Sequence, residues 1–173
     1  MTQIDNIILD KKQIDHKIRR IAYQIYENNV EEKEVIIAGI FENGFLFAQK
    51  IKKTLEKIAP IKVTMCKVII DKKNPIHPIK TSLNPEEYKN KSLVLVDDVL
   101  HSGTTLIYGI KHFLGVPLKQ FNTVVLVDRN HKKFPIKVDY KGISVSTSIA
   151  DHIELIFEKN NIQTRTIFTG NIL

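Results

Sequence analysis

One run of residues, LVLVDDVLHSGTT at positions 93–105, constrains the fold of this chain more than any other feature. Its apolar residues predict a buried strand, and the strand ends in two adjacent carboxylates, Asp97 and Asp98. A short turn through Ser102 and Gly103 then leads into a helix. A buried strand that runs directly into a helix is typical of α/β proteins, in which ligands bind at the carboxyl ends of the strands.

The same run predicts the chemistry of the ligand. Hydroxyls and unpaired N–H groups at the start of a helix attract phosphate, and glycine allows the backbone to approach the anion closely. Carboxylates beside a phosphate require a sugar diol or Mg²⁺ to bind. The pattern therefore predicts a sugar phosphate, although an N-capped helix after a surface strand is the alternative. The predicted phosphate contacts are Ser102, Gly103, Thr104 and Thr105.

Strands and helices alternate along most of the chain. Apolar spacing predicts a helix over residues 11–28, and a tight loop at 39–44 opens a second helix that ends before Pro60. A third helix follows the turn at 102–105. Short apolar runs predict strands at 34–40, 62–70, 92–99 and 121–128. This order predicts an α/β fold with a mostly parallel sheet that is flanked by helices.

Two segments lack a clear period. Residues 71–91 are polar and contain three prolines, which predicts a long mobile loop. Residues 129–173 contain short strand-like runs without a clear helix, which predicts an antiparallel appendage or hairpin. We expect both segments to belong to a single domain that spans residues 1–173.

Composition narrows the cellular setting. No apolar window is long enough to span a membrane, and the single cysteine, Cys66, fits a reducing cytosol. We therefore expect a cytoplasmic protein without a membrane partner. The net charge of +7 comes mainly from lysines spread along the chain, and it favours either a solvated surface or an anionic ligand.

The run at 93–105 resembles the phosphoribosyl-pyrophosphate (PRPP) motif of type I phosphoribosyltransferases. ILDKKQIDHKIRRIAYQI, AGIFENGFLFAQKI and VVLVDRNHKKFPIKVDYKGISVSTS are similar, in that order, to the pyrimidine-operon attenuation regulator / uracil phosphoribosyltransferase family. The resemblance implies a Rossmann-like type I phosphoribosyltransferase fold with a flexible loop and a small hood over the base. It also implies transfer of phosphoribose from Mg²⁺-bound PRPP to a nucleobase, with uracil favoured, giving a nucleoside monophosphate and pyrophosphate.

The resemblance implies roles for individual residues. Asp97 and Asp98 would hold the ribose hydroxyls and contribute to Mg²⁺, which is bound mainly through pyrophosphate. His101 takes a base-side position, where the alternatives are proton transfer with a near-neutral pKa and an imidazole that stacks beside the base or faces solvent. Asp128 and Arg129 end a strand at the same sheet edge, beside the base or pyrophosphate or in an internal salt bridge. The implied pyrophosphate loop is Gly39, Ile40, Phe41, Glu42, Asn43 and Gly44.

Departures from the family pattern leave a second function open. Glu42 places negative charge where pyrophosphate is expected. The arginine of the family's mobile segment is absent, and Lys72 and Lys73 lie nearby as its replacements. The alternative is a nucleotide-sensing, RNA-binding regulator of pyrimidine genes with little catalysis, and RNA is the less favoured partner. The resemblance also implies a homodimer or higher homo-oligomer. The retained candidates for RNA contact are Arg19, His131, Lys132 and Lys137.

Overall fold

A computed structural model describes residues 6–146, 151–158 and 161–168 of the chain. The helices are α1 (Lys11–Glu27), α2 (Asn43–Ile58), α3 (Pro85–Tyr88) and α4 (Thr104–Phe113). The strands are β1 (Asn6–Leu9), β2 (Glu34–Ile40), β3 (Lys62–Ile69), β4 (Lys80–Thr81), β5 (Ser92–Leu100), β6 (Gln120–Asp128), β7 (Tyr140–Ser144), β8 (Asp151–Glu158) and β9 (Asn161–Phe168). None of the described helices is long and apolar enough to cross a membrane.

The described strands form two sheets. The main sheet has the order β4-β3-β2-β5-β6-β7, and all neighbours pair in parallel except the short β4. A second, antiparallel sheet has the order β1-β9-β8, and we call it the hood sheet. The mostly parallel sheet between helices confirms the fold class predicted from the sequence.

Side chains of the central strands alternate between two apolar clusters on opposite faces of the main sheet. Val94 and Val96 of β5 pack with buried residues of α1 and α2, and the same cluster includes hood residues such as Leu155. Leu93 and Leu95 pack on the other face with α4 and Tyr88. A strand buried on both faces reads as a continuous apolar run, which explains the sequence of β5.

The first helix forms for the reasons that its sequence suggests. Its apolar residues lie on one buried face, from Ile14 to Ile25. Asp10 caps the helix by accepting a hydrogen bond from the Gln13 N–H at 2.8 Å, and the Gln13 side chain accepts one from the Asp10 N–H at 2.9 Å. The predictions of this helix and of the strands β2, β3, β5 and β6 are confirmed within one or two residues.

Three features of the fold differ from the predictions. Residues 71–91 are not wholly irregular, because they include β4 and α3, and Tyr88 is buried at 1% exposure. Residues 140–144 were expected in an antiparallel appendage, but they form β7, which pairs in parallel with β6. The hairpin of β8 and β9 fits the prediction, whereas β1, the third strand of the hood sheet, was not predicted. Local sequence could not reveal β1, because its partner lies at the other end of the chain.

Candidate active site

The acidic pair lies at the carboxyl end of β5. Asp97 is 4% exposed, and its Oδ1 accepts a hydrogen bond of 2.9 Å from the backbone N–H of Asp98. Burial raises the pKa of the Asp97 carboxyl well above its usual range, and the neighbouring charge of Asp98 raises it further. Lys72 acts in the opposite direction. A carboxylate in this setting is stabilised by a ligand that supplies hydroxyl donors or positive charge.

The first turn of α2 packs directly against this pair. A Cβ atom on Gly44 would lie 3.0 Å from both Cα and Oδ1 of Asp97, so glycine is needed for the close approach. Gly44 therefore belongs to helix α2 and not to the predicted loop, while Gly39 and the buried Ile40 belong to β2. Gly39, Ile40 and Gly44 of the expected pyrophosphate loop therefore lie in a strand or a helix, where they determine the course of the backbone.

The turn between β5 and α4 has the conformation that its glycine permits. Gly103 has φ of +85°, and a Cβ there would lie 2.5 Å from Cγ2 of Ile136. The hydroxyls of Ser102 and Thr104 share a hydrogen bond of 2.7 Å. The Ser102 carbonyl accepts hydrogen bonds from the N–H groups of Lys133 and Phe134, at 2.9 and 3.1 Å. Residues 133–136 thus hold this turn in place.

Two adjoining cavities open at this edge of the sheet. The first, which we call the main cavity because it contains both residues of the acidic pair, has a volume of about 270 Å³. The second has a volume of about 280 Å³. Asn43, Lys72 and Asp98 line both. The main cavity brings together the acidic pair, the phosphate-binding candidates Ser102, Gly103 and Thr105, and His152 of the hood sheet. Phe41, Glu42 and Ile70 complete the wall of the second. Such a pair of chambers has room for a sugar phosphate with a group on either side.

His101 is held between a guanidinium and a second imidazole. Arg129 Nη1 donates a hydrogen bond of 3.0 Å to His101 Nδ1. The rings of His101 and His152 are parallel within 1°, with centroids 5.0 Å apart. Burial lowers the pKa of His101 to about 4, and the nearby His152 and Arg129 also lower it. Of the alternatives for His101, this pKa favours stacking over acid/base catalysis, because burial disfavours the imidazolium.

Asp128 and Arg129 are adjacent in sequence but contact different partners. The Asp128 carboxylate is buried, and it accepts hydrogen bonds from Lys141 Nζ at 2.9 Å and from the Asn130 N–H at 3.0 Å. Burial opposes ionisation, but these contacts together with Lys132 lower the pKa of Asp128. Of the two alternatives for Asp128, the structure shows the internal salt bridge. Arg129 meets the main cavity through its contact with His101.

The four candidates for RNA contact are placed differently. Lys132 Nζ lies 3.5 Å from Asp128 Oδ2 and is partly neutralised by it. Arg19 is exposed and lies over the ring of Tyr23, with 5.8 Å between the guanidinium carbon and the ring centroid. His131 and Lys137 are exposed as well. Lys132 is therefore paired with a buried carboxylate, while the other three candidates lie at the surface, Arg19 against Tyr23.

Sequence reasoning missed the contribution of the hood sheet to the site. His152 and Glu154 of β8 line the main cavity, while Leu155 packs into the core. Asn43 joins the two parts of the molecule, because its Nδ2 donates a hydrogen bond of 2.8 Å to the Leu155 carbonyl. The alternation of polar and apolar residues in β8 indicated two faces, but it did not indicate which partner each face meets.

Oxygen ligands suitable for Mg²⁺ are present, although the described residues include no cluster of three or more metal-binding side chains. Asp98 and Glu42 both line the second cavity. Mg²⁺ commonly binds one or two carboxylates and completes its shell with substrate phosphates and water. These residues therefore fit Mg²⁺ that arrives with a phosphorylated substrate.

Comparison with known proteins identifies relatives over nearly the whole chain. Residues 6–157 match the family described as phosphoribosyl transferase domain. The chain is 31% identical over 166 residues to the bifunctional protein PyrR of Macrococcus caseolyticus, a match that covers 92% of this chain and 95% of that protein. It is 34% identical over 155 residues to the bifunctional protein PyrR of Streptococcus thermophilus, covering 86% and 88%.

Solved structures show the same fold at lower identity. A hypoxanthine phosphoribosyltransferase of Trypanosoma cruzi superposes with a TM-score of 0.74 at 14% identity, covering 96% of this chain and 97% of that one. A hypoxanthine-guanine phosphoribosyltransferase of Bacillus anthracis gives a TM-score of 0.70 at 20% identity, covering 84% and 85%. The fold is therefore that of the type I phosphoribosyltransferases.

Proposed function

We propose that this chain, which belongs to the phosphoribosyl transferase domain family, transfers the 5-phosphoribosyl group of PRPP to a nucleobase, with uracil as the favoured base. The products are a nucleoside monophosphate and pyrophosphate. Uracil is favoured by the resemblance to the pyrimidine regulator family and by the PyrR relatives.

One observation carries the proposal. The acidic pair Asp97 and Asp98 lines a single cavity together with three residues of the following turn, at the carboxyl ends of parallel strands. The three turn residues are Ser102, Gly103 and Thr105. Carboxylates accept hydrogen bonds from vicinal hydroxyls, whereas hydroxyl and N–H groups at a helix start donate to phosphate. A phosphorylated pentose presents both features at the two ends of one small molecule.

The two cavities suggest how PRPP and its partner divide the site. Ser102, Gly103 and Thr105 would bind the 5′-phosphate, and Thr104 would act through its hydrogen bond with Ser102. Pyrophosphate would occupy the second cavity, where Lys72 supplies positive charge. The base would enter the main cavity beside His101 and the hood sheet.

In the proposed reaction, a base nitrogen forms a bond to C1 of the ribose as the bond from C1 to the pyrophosphate oxygen breaks. The proton displaced from the base nitrogen leaves to water or to pyrophosphate. The protein contributes by holding the two reactants in line and by surrounding the developing positive ribosyl centre with the carboxylates of Asp97 and Asp98. Asp98 would hold Mg²⁺ together with pyrophosphate, where the cation would offset the charge of the leaving group.

Release of pyrophosphate tests the proposal. We would incubate the protein with PRPP and Mg²⁺ and offer uracil, cytosine, hypoxanthine, guanine, adenine and orotate in parallel. The control is the double variant Asp97→Asn/Asp98→Asn, in which neutral amides lose the charge-assisted hydrogen bonds to the ribose diol. Release with uracil that is lost in the variant is the expected result.

Other outcomes would change the proposal in defined ways. Release with another base would support the proposed reaction but change the predicted base from uracil to that base. Normal release by the double variant would refute the assigned site. No release with any base, by a protein that still binds a nucleoside monophosphate, would move the alternative of a nucleotide-sensing regulator into first place.

A further inference from the structure

The hydrogen-bonding state of His101 is fixed by its neighbour. The Arg129 guanidinium has only N–H donors and stays charged at all physiological pH values. Since Arg129 Nη1 lies 3.0 Å from His101 Nδ1, that nitrogen must accept with its lone pair. A neutral imidazole whose Nδ1 accepts carries its hydrogen on Nε2.

The surroundings of His101 keep the ring neutral. His152 of β8 stacks on one face at a centroid distance of 5.0 Å. A positive charge on the His101 ring is unfavourable because Arg129, Lys72 and His152 lie near it. Asp98 is the group that favours protonation, but burial outweighs it and the pKa of His101 falls to about 4. At pH 7 the ring therefore has one acceptor, which Arg129 occupies, and one donor.

We infer that Arg129 fixes His101 as an Nε2–H donor, and that this donor selects acceptor molecules that present a carbonyl oxygen over those that present an amino group. The inference rests on the proposed function for the identity of the acceptor as a nucleobase. His101 lines the main cavity and determines specificity by direct contact, whereas Arg129 is a positioning residue that acts through it. Bases of the uracil and hypoxanthine kind would be preferred to their amino counterparts, cytosine and adenine.

This assignment also excludes one role for His101. A general base needs a free lone pair within reach of the proton that it removes. The lone pair of Nδ1 is engaged by Arg129, and Nε2 already carries a hydrogen. His101 therefore orients the acceptor, and the proton of the base leaves by another route.

The tautomer can be measured on the protein without any substrate. Long-range ¹H–¹⁵N spectra of protein labelled with ¹⁵N-histidine distinguish a ring nitrogen that carries hydrogen from one that does not. His101→Gln identifies the signal by its disappearance, and the exposed His16 serves as an internal reference. We expect the Nε2–H form alone at pH 7. A protonated Nδ1 in the wild-type protein, in either a neutral or a charged ring, would overturn the inference.

Selection is tested by binding, with a pair of variants that differ in a single group. Gln at position 101 offers an amide N–H donor, whereas Glu has the same length and accepts only. Calorimetry would compare UMP with CMP and IMP with AMP for wild type, His101→Gln and His101→Glu. The wild type and the Gln variant should prefer UMP and IMP, and the Glu variant should lower that preference by about tenfold.

The two proposals fail in different ways. Absence of pyrophosphate release from every base defeats the enzymatic function, while the tautomer and the nucleotide preferences still decide this inference. Equal preferences in the Gln and Glu variants would overturn the selecting role of His101 even in an active enzyme. Failure of wild type to bind any of the four nucleotides would overturn it together with the assigned site.

Discussion

At the scale of single residues, the site places a carboxyl group where ionisation is unfavourable. Asp97 is buried, and burial together with the charge of Asp98 raises its pKa. The folded protein therefore binds this proton more tightly than the unfolded chain does, so stability falls as pH rises above the unfolded pKa of about 3.9. Asp97 therefore lowers the stability of the fold at neutral pH, as is typical of residues that are retained for a functional role.

We expect Asp97→Asn to stabilise the protein while it weakens PRPP binding. The amide removes the buried charge and keeps an oxygen for the Asp98 N–H. In a domain of this size, each kcal/mol gained raises Tm by about 2–4 °C. Thermal melts at pH 7 should show the higher Tm, and the difference from wild type should shrink towards pH 4. Asp98→Asn, at a more exposed position, serves as the control and should change Tm less; a lower Tm for Asp97→Asn at pH 7 would contradict the argument.

Glu42 gives a second prediction at this scale. Its carboxylate lines the second cavity, where pyrophosphate would bind. Removal of one like charge near the surface is worth about 1 kcal/mol, so Glu42→Gln should tighten PRPP binding by about fivefold. Calorimetry at fixed ionic strength measures this, with the exposed Glu31→Gln as a variant of equal net charge. Weaker binding only when Mg²⁺ is present would instead assign Glu42 to the cation.

At the scale of elements, the turn from β5 to α4 depends on one glycine. Gly103 occupies a left-handed conformation, and Ile136 packs against the position that a Cβ would take. The same turn is held through the Ser102 carbonyl by the backbone of residues 133–134. The phosphate-binding candidates are thus positioned by a segment that follows them by some thirty residues in the sequence.

Gly103→Ala is expected to loosen this turn. The left-handed conformation costs an alanine about 1–2 kcal/mol, and the contact with Ile136 adds to that cost. Tm should fall by at least about 2–4 °C, and the affinity for ribose 5-phosphate should fall as well. Gly115→Ala is the matched control, since a Cβ there would lie 3.2 Å from the His112 carbonyl oxygen and the φ of Gly115 is not left-handed. An unchanged affinity for ribose 5-phosphate would separate this turn from the phosphate site.

The elements also show which parts of the fold could be predicted from the sequence. Helix α1 and strand β5 were predictable, because periodicity and a buried apolar run are local signals. Strand β7 was not, because YKGIS becomes a strand through its pairing with β6. The acidic pair and the phosphate turn are contiguous in sequence and could be proposed together. The contact of His152 with His101 joins distant segments, and no local pattern encodes it.

At the scale of the whole molecule, the hood sheet meets the end of the main sheet through both polar and apolar contacts. The Asn43 side chain bonds to the Leu155 carbonyl, and the His101 and His152 rings stack. Ile153, Leu155 and Ile162 also join the apolar cluster beneath. Asn43 is therefore a direct polar link between the helix beside the acidic pair and the hood.

Asn43→Ala should loosen the hood without unfolding the core. A lost hydrogen bond costs about 0.5–1.5 kcal/mol, which would appear as faster local opening. Hydrogen–deuterium exchange should accelerate in β8 and stay unchanged in the buried β5. Gln49→Ala, at an exposed position of the same helix, is the control. Equal protection of β8 in both variants would show that apolar packing alone holds the hood.

The pairing of β1 with β9 sets the order in which the molecule can be completed during synthesis. Residues 6–9 are synthesised long before residues 164–166, to which they pair. Strands β2, β3 and β5 need no such wait, because their partners are all made before residue 129. A nascent chain would thus form the acidic pair and the turn at 102–105 before the hood sheet is complete, and β1 would find its partner only after residues 164–166 are made.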